Sequence, residues 1–257
     1  MSVEQQIPFM AHLFELRRRL TIAASSWLVA FVVCYYFSEP LYLFISQPLR
    51  TVLPAGSKMV FLSPTEPLFT YMKIAAVAAV LVALPVILWQ IWGFIAPGLY
   101  KNEKRFALPF VASAYCSFLG GAYLGFTWIF PLVFSVLLSM GLAGGEVTAM
   151  ISMGEYFSIA WKLLLAFGAI FETPIVILIF ARMGVVDAKW LSQKRKYFII
   201  IAFIFAGIAT PGPDVFSQTA LAIPFILLYE VGIILARCFG KKMTEKIPVD
   251  DDDDETI

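Results

Sequence analysis

The sequence predicts an all-α integral membrane protein with six transmembrane helices in a curved, concave arrangement. Of its 257 residues 60% are hydrophobic and 14% are charged, whereas a soluble domain is about 45–50% apolar and about 25% charged. Apolar runs long or nearly long enough to cross about 30 Å of hydrocarbon lie at 21–37, 70–95, 107–130, 157–181, 197–210 and 219–236. This composition excludes a soluble enzyme and a disordered chain, and a net charge of +1 argues against a nucleic-acid partner.

Basic residues predict the orientation of the six spans. Among the 19 lysines and arginines, only Arg50, Lys58, Lys73 and Lys162 fall on the side of the outer loops. The others precede span 1, follow span 6 or lie between spans 2 and 3 or 4 and 5. Because basic loops stay in the cytoplasm, we expect both termini of this multi-pass membrane protein there.

The last two spans are predicted to be short helices, and three prolines are predicted to bend their spans. The run 197–210 corresponds to only about 21 Å of helix and ends at a Pro-Gly-Pro break that cannot continue it. Pro85, Pro174 and Pro224 lie inside other runs. Each removes a backbone donor, so we expect bent helices that form a concave wall.

The N-terminal segment 1–20 is interpreted as a cytoplasmic amphipathic helix that precedes the first span. Leucines recur at helical spacing on one face, and Glu15 and Arg19 form an i,i+4 pair on another. At the other end, the tail 237–257, which is acidic at 250–255, is predicted to be a disordered cytoplasmic extension of this single membrane domain.

Glu172 is the most unusual polar residue, because it lies near the middle of the fourth apolar run. A carboxylate in hydrocarbon is costly and must face a polar cavity or a partner. Pro174 also leaves the carbonyl of Ile170 without its helical donor. Three interpretations stay open here: Glu172 is a structural polar clamp between helices, it contacts a partner inside the membrane, or it carries protons in a small-solute transporter.

Polar residues also border the break between spans 5 and 6. Thr210 ends span 5, Asp214 is placed to cap the next helix, and Gln218 at the start of span 6 can hydrogen-bond a neighbouring membrane helix. We interpret them as a candidate contact for a partner helix.

No residue pattern indicates a cofactor, a metal or catalysis. The chain has one histidine, its cysteines Cys34, Cys116 and Cys238 are far apart, and the signatures of nucleophilic, zinc and nucleotide sites are missing. We therefore expect no cofactor, and we rank a membrane-embedded enzyme last.

Five sequence blocks, in order, make the chain similar to the TatC family, the multispanning subunit of the twin-arginine protein translocase. They are 12–20 (HLFELRRRL), 47–49 (QPL), 92–105 (WGFIAPGLYKNEKR), 167–174 (FGAIFETP) and 210–218 (TPGPDVFSQ). The resemblance implies a receptor core that binds twin-arginine signal peptides at the cytoplasmic face. It also implies export of folded proteins driven by the proton-motive force, and TatB- and TatA-like single-span partners in a multi-copy complex.

The resemblance also implies which residues do this work. Glu15 and Glu103 match the acidic positions that recognise the two arginines, since a planar guanidinium pairs bidentately with a carboxylate. An apolar wall and flanking positions complete the expected signal-peptide site: Phe94, Arg17, Arg19 and Pro48. Helix 5 with Gln218 is the implied partner site.

Overall fold

A computed structural model describes residues 3–53, 59–95, 107–142, 150–210 and 214–240, and these are almost entirely helical. One parallel pair of two-residue strands, β1 with β2, is the exception. The elements, in chain order, are α1 (Val3–Tyr36), α2 (Ser38–Ile45), α3 (Gln47–Val52), β1 (Met59–Val60), α4 (Glu66–Ile95), α5 (Ala107–Leu124), a π turn (Gly125–Ile129), α6 (Phe130–Leu142), β2 (Ile151–Ser152), α7 (Met153–Phe171), α8 (Thr173–Arg182), α9 (Ala188–Gln193), α10 (Arg195–Ala209) and α11 (Val215–Phe239).

The helix predicted for the N-terminal segment is not separate from the first span. Both belong to α1, which runs without interruption over 34 residues. Neither glycine nor proline occurs between positions 9 and 36, and the arginines at 17–19 are good helix formers, so nothing ends the helix at residue 20. Leu13, Leu16 and Leu20 of the predicted apolar stripe are exposed on α1.

Five described helical segments are long and apolar enough to cross a membrane: Leu13–Tyr36, Glu66–Ile95, Ala107–Ser139, Met153–Arg182 and Val215–Phe239. The predicted fifth span is α10, which is short as expected: its 15 residues give about 22 Å. The prediction of a short sixth span is wrong, because α11 has 25 residues. Asp214 caps it at its start, and it runs on to Phe239, past an arginine whose side chain can reach water.

The prolines act differently from one another. Pro85 and Pro224 lie within the continuous helices α4 and α11, whereas Pro174 follows a break between α7 and α8. The third span, predicted to end at residue 130, continues through the π turn into α6. We attribute that wide turn to Pro131, which cannot donate to the preceding turn.

Helix α7 is the centre of the packed core. Tyr156, Leu163 and Phe167 on it are fully buried, together with Phe130 of α6 and Leu221 of α11. Gly168 of α7 lies under the ring of Phe118, where a Cβ would meet the ring atoms. Close approach of α5 and α7 therefore depends on this small residue.

The bundle has two ends, which we name by what they carry. The strand end holds α2, α3, β1 and β2; the basic end holds Arg19, Arg182 and Arg195 and the last turn of α4. At the strand end the Glu66 carboxylate accepts hydrogen bonds from the Ser152 hydroxyl and the Gly154 N–H. Because Glu66 begins α4 and Gly154 is in the first turn of α7, the two helices start level.

Candidate functional site

The first candidate site is an ion pair on α1 at the basic end. The Nη2 and Nε atoms of Arg19 donate to Oε1 of Glu15 over 2.6 and 3.1 Å. One helical turn separates the residues, and an acid four positions before a base is the favourable order. The side chains are 25% and 37% exposed, respectively, so a peptide can reach the carboxylate.

The last turn of α4 forms the wall behind this ion pair. Gly93 has no side chain, and a Cβ there would collide with Nη1 and Cζ of Arg19. The guanidinium therefore lies directly against the α4 backbone, one residue before Phe94. The structure thus brings Glu15, Arg19 and the Phe94 position together at one place.

The other predicted signal-peptide residues are distributed differently. Arg17 is exposed on α1, two residues from Glu15. Pro48 is buried in the first turn of α3, at the strand end. Gly93 is 27 residues, or about 40 Å of helix, from the start of α4 at Glu66, so Pro48 is at the opposite end of the bundle from the ion pair. Glu103 lies outside the described residues.

Glu172 lies at the break between α7 and α8. Its own N–H donates to the carbonyl of Ala169, and its carbonyl accepts from Ile175 and Val176. The carbonyl of Phe171 instead accepts a hydrogen bond of 2.7 Å from the hydroxyl of Ser117 on α5. Pro174 has no N–H for the Ile170 carbonyl, and the N–H of Ile175 donates to Glu172 instead of Phe171, so the neighbouring helix supplies the donor that the Phe171 carbonyl lacks.

A cavity of about 280 Å³ opens beside this break. Among the described residues of its wall Glu172 is the one acid; the others are apolar and include Trp92, Phe110 and Val176. Oε1 of Glu172 is buried and has no hydrogen-bond partner among the described residues. The arrangement offers a polar atom to a helix or chain that enters the cavity, and the Ser117 contact was not anticipated from the sequence.

The predicted residues between spans 5 and 6 are mostly engaged within the chain. Asp214 caps α11 by accepting a 2.6 Å hydrogen bond from the N–H of Ser217, which agrees with its predicted capping geometry. The Thr210 hydroxyl donates to the carbonyl of Ala206 over 2.9 Å. Gln218 lies over Gly207 of α10. Oδ2 of Asp214 and the Ser217 hydroxyl are buried without partners in the described residues.

Sequence reasoning missed Glu66, which joins α4 to α7. Its partners Ser152 and Gly154 are 86 and 88 positions away, and only the fold brings them together. The position of Glu66 at the start of an apolar run was the available signal, since acids favour helix N-termini. Among the described residues, no group of three or more histidines, cysteines or acids is placed to hold a metal ion.

Comparison with known proteins identifies the family. The profile described as "TatC: Sec-independent protein translocase protein (TatC)" matches residues 11–224. The chain belongs to the TatC family. Proteins named Sec-independent protein translocase protein TatC match it at 41% identity in Magnetococcus marinus, over 96% of this chain and 90% of that protein, and at 38% in Escherichia coli K12, over 94% and 93%.

Solved TatC structures share the fold as well as the sequence. A crystal structure described as the twin arginine translocase receptor TatC superposes with a TM-score of 0.79 at 38% identity, over 88% of this chain and 97% of that chain. A second, in DDM, gives a TM-score of 0.80 over 88% and 99%. This TatC-family chain is therefore a multi-pass membrane component of a Sec-independent protein translocase.

Proposed function

We propose that the chain is the receptor core that binds twin-arginine signal peptides at the basic end. The observation that carries this proposal is the 38% identity with a crystal structure described as a twin arginine translocase receptor. In this role the chain catalyses no reaction. It works with TatB- and TatA-like single-span partners in a multi-copy complex, and the proton-motive force drives export of folded cargo.

Recognition of arginine depends on carboxylates at the basic end. A guanidinium forms two parallel hydrogen bonds with a carboxylate, and a lysine ammonium cannot reproduce that geometry. Glu15 binds one arginine of the signal peptide and Glu103 the other. Arg19 fixes the Glu15 carboxylate from the side of α4, so the incoming guanidinium meets an acceptor that is already oriented.

Neighbouring residues shape the same peptide site. Phe94 provides an apolar wall for the part of the peptide beyond its arginines. Arg17 contacts the peptide from the exposed side of α1. Pro48 is buried at the strand end, so its influence on the peptide is through the fold of that end. The support for these roles is the resemblance together with the approach of Arg19 to Gly93.

Two further sites act inside the membrane. Glu172 contacts the inserted signal peptide or a partner helix at the 280 Å³ cavity, where a hydrogen-bond donor would satisfy its buried oxygen. Thr210, Asp214 and Gln218, with α10, contact a partner helix. Disulfide cross-linking from cysteines introduced on α10 checks the second site: a cross-linked single-span protein supports it, and labelling by lipid alone contradicts it.

The orientation follows from the distribution of charge. We propose that the basic end faces the cytoplasm, with both termini there, and that the strand end faces the outside of a bacterial inner membrane. The support is that the outer loops hold few of the basic residues, while cytoplasmic loops are normally rich in them. Accessibility of single cysteines introduced at residues 61 and 185 to an impermeant reagent in intact cells tests this.

The main test compares a twin-arginine peptide with its twin-lysine variant. Purified protein binds the labelled peptides in detergent, and anisotropy gives Kd for wild type, Glu15→Gln and the matched control Glu155→Gln. Glu155 is an exposed acid at the strand end, so the control removes the same charge elsewhere. One partly exposed charge-assisted pair contributes about 1–2 kcal/mol, so Glu15→Gln is expected to raise Kd about 5–30-fold.

Two results would contradict the proposal. One is equal affinity of the wild type for the twin-arginine and twin-lysine peptides. The other is an equal loss of affinity in Glu15→Gln and Glu155→Gln, which would show that overall charge, rather than the site at the basic end, attracts the peptide.

A further inference from the structure

Two lysines lie within the membrane-spanning helices, where charged side chains are rare. Lys73 on α4 and Lys162 on α7 are both exposed and line one cavity of about 440 Å³. Trp27 and Trp161 lie in the same wall. None of the residues assigned above to the signal peptide or to partner helices belongs to this cavity.

The depth of the two lysines follows from the level start of their helices. The hydrogen bond between Glu66 and Gly154 fixes a common origin at the strand end. Lys73 is seven residues beyond Glu66, and Lys162 is eight beyond Gly154. At 1.5 Å per residue, both Cα atoms lie about 10–12 Å from that origin. The 30 residues of α4 span about 45 Å, so a centred helix extends about 7 Å beyond each side of about 30 Å of hydrocarbon, and both lysines come close to the level where headgroups meet hydrocarbon.

The ammonium group of Lys73 points back toward the strand end. Its Nζ lies 3.3 Å from the hydroxyl of Ser158, which is four residues nearer the strand end than Lys162. This is the direction in which a lysine in a membrane helix extends to reach polar headgroups. Tryptophans are also enriched at this level of the bilayer.

The positive charge at the cavity is not balanced within the described residues. Their two salt bridges join Arg19 to Glu15 and Arg195 to Glu230, and neither involves Lys73 or Lys162. No acid is among the described residues that line the cavity. The nearest acids on these two helices are Glu66 and Glu155, each seven residues before a lysine, or about 10 Å along the axis, and the Glu66 carboxylate already accepts hydrogen bonds from Ser152 and Gly154. The site therefore favours an anion.

An apolar groove continues from the two lysines. A second cavity of about 100 Å³ shares Lys73, Val77 and Trp161 with the first and extends to Leu81 and Leu164. Apart from Lys73 its wall is apolar or aromatic, which suits a segment of a hydrocarbon chain. A cationic end joined to an apolar groove matches an amphiphile rather than a free anion.

We propose that Lys73 and Lys162 bind the phosphate of an anionic phospholipid at the strand end, with one acyl chain in the groove beside Val77 and Leu164. The ammonium groups and the Ser158 hydroxyl donate to the phosphate oxygens. The lipid bound here lies between α4 and α7 and is part of the folded wall of the protein.

Native mass spectrometry of the complete chain, released from detergent, tests the proposal. The probes are phosphatidylglycerol and phosphatidylcholine with identical acyl chains, and a parallel series with inorganic phosphate. Wild type is expected to bind phosphatidylglycerol about tenfold more tightly than phosphatidylcholine. Lys73→Gln/Lys162→Gln is expected to lose that preference, whereas the matched variant Lys73→Arg/Lys162→Arg keeps it.

A second measurement locates the lipid. Phosphatidylglycerol with brominated chains quenches nearby tryptophans, so Trp161→Phe is expected to show less quenching than wild type. The glutamine double variant is expected to show at least as large a reduction, because Trp27 and Trp161 both line the cavity that loses its lipid. Thermal unfolding in detergent confirms that each variant is folded. Equal affinity of wild type for the two lipids would overturn the proposal. Two other results would overturn it as well: displacement of phosphatidylglycerol by millimolar inorganic phosphate, and an unchanged preference for phosphatidylglycerol in the glutamine variant.

Discussion

Replacing Gly93 with alanine perturbs the candidate peptide site without touching its carboxylate. The new Cβ would overlap the Arg19 guanidinium, which must withdraw until non-bonded atoms are about 3.4 Å apart. The contacts with Glu15 are only 2.6 and 3.1 Å long, so a withdrawal of this size breaks or reorients them. The mutation therefore releases the Glu15 carboxylate from its anchor.

The expected energies separate folding from binding. A partly exposed ion pair contributes about 0.2–1 kcal/mol to stability, and alanine is favoured over glycine inside a helix by up to about 1 kcal/mol. These opposing effects nearly cancel, so the free energy of unfolding is expected to change by less than about 1 kcal/mol. Binding of the twin-arginine peptide, which needs an oriented carboxylate, is expected to weaken about fivefold.

A double-mutant cycle with Arg19→Ala provides the assay. Peptide anisotropy and thermal unfolding are measured for wild type, both single variants and the double variant. If Gly93→Ala acts by displacing Arg19, it has no effect on peptide binding in the Arg19→Ala background. In that background Gly93→Ala raises the melting temperature through helix propensity alone. An equal loss of binding in both backgrounds would refute this reasoning.

Two further predictions concern stability. Tyr156→Phe removes the 2.7 Å hydrogen bond to the carbonyl of Ile45 and is expected to cost about 1–3 kcal/mol, or about 2–4 °C in Tm per kcal/mol; an unchanged Tm would contradict this. Asp214→Ala removes the cap that binds the N–H of Ser217 and is expected to cost about 0.5–2 kcal/mol, most of it recovered by Asp214→Asn. Failure of the asparagine variant to restore Tm would argue against capping.

The spans could be predicted because membrane helices are specified locally. Uninterrupted apolar sequence determines where α4, α7 and α11 lie, since any backbone in hydrocarbon must satisfy its own hydrogen bonds. The Asp214 cap was also local, because its acceptor and its donor are three residues apart. The weak points were the limits of other helices, such as the unbroken passage of α1 through residue 20 and the continuation beyond Pro131.

Contacts between distant segments could not be predicted in the same way. Three contacts depend on which segments become neighbours. They are the packing of Arg19 on Gly93, the hydrogen bond from the Ser117 hydroxyl to the Phe171 carbonyl, and the bonds of Glu66 with Ser152 and Gly154. A glycine near the end of α4 and a serine in α5 carry no sign of their partner in a single sequence. The pairing of Glu15 with Arg19, in contrast, was expected because both lie on one helix.

The break at Glu172 divides a long helix into two parts that are held differently. Helix α7 is fixed at the strand end by the bonds of Gly154 to Glu66 and of Tyr156 to Ile45. Beyond the break, α8 packs on α11, where Ile177 fits against Gly232. At the junction, the Ser117 hydroxyl supplies the bond to the Phe171 carbonyl from another helix. Pro174 has already removed the helical bond to the Ile170 carbonyl, and the N–H of Ile175 donates to Glu172 rather than to Phe171. We therefore expect a helix bound in the Glu172 cavity to change the angle between α7 and α8 at less cost than elsewhere in this span.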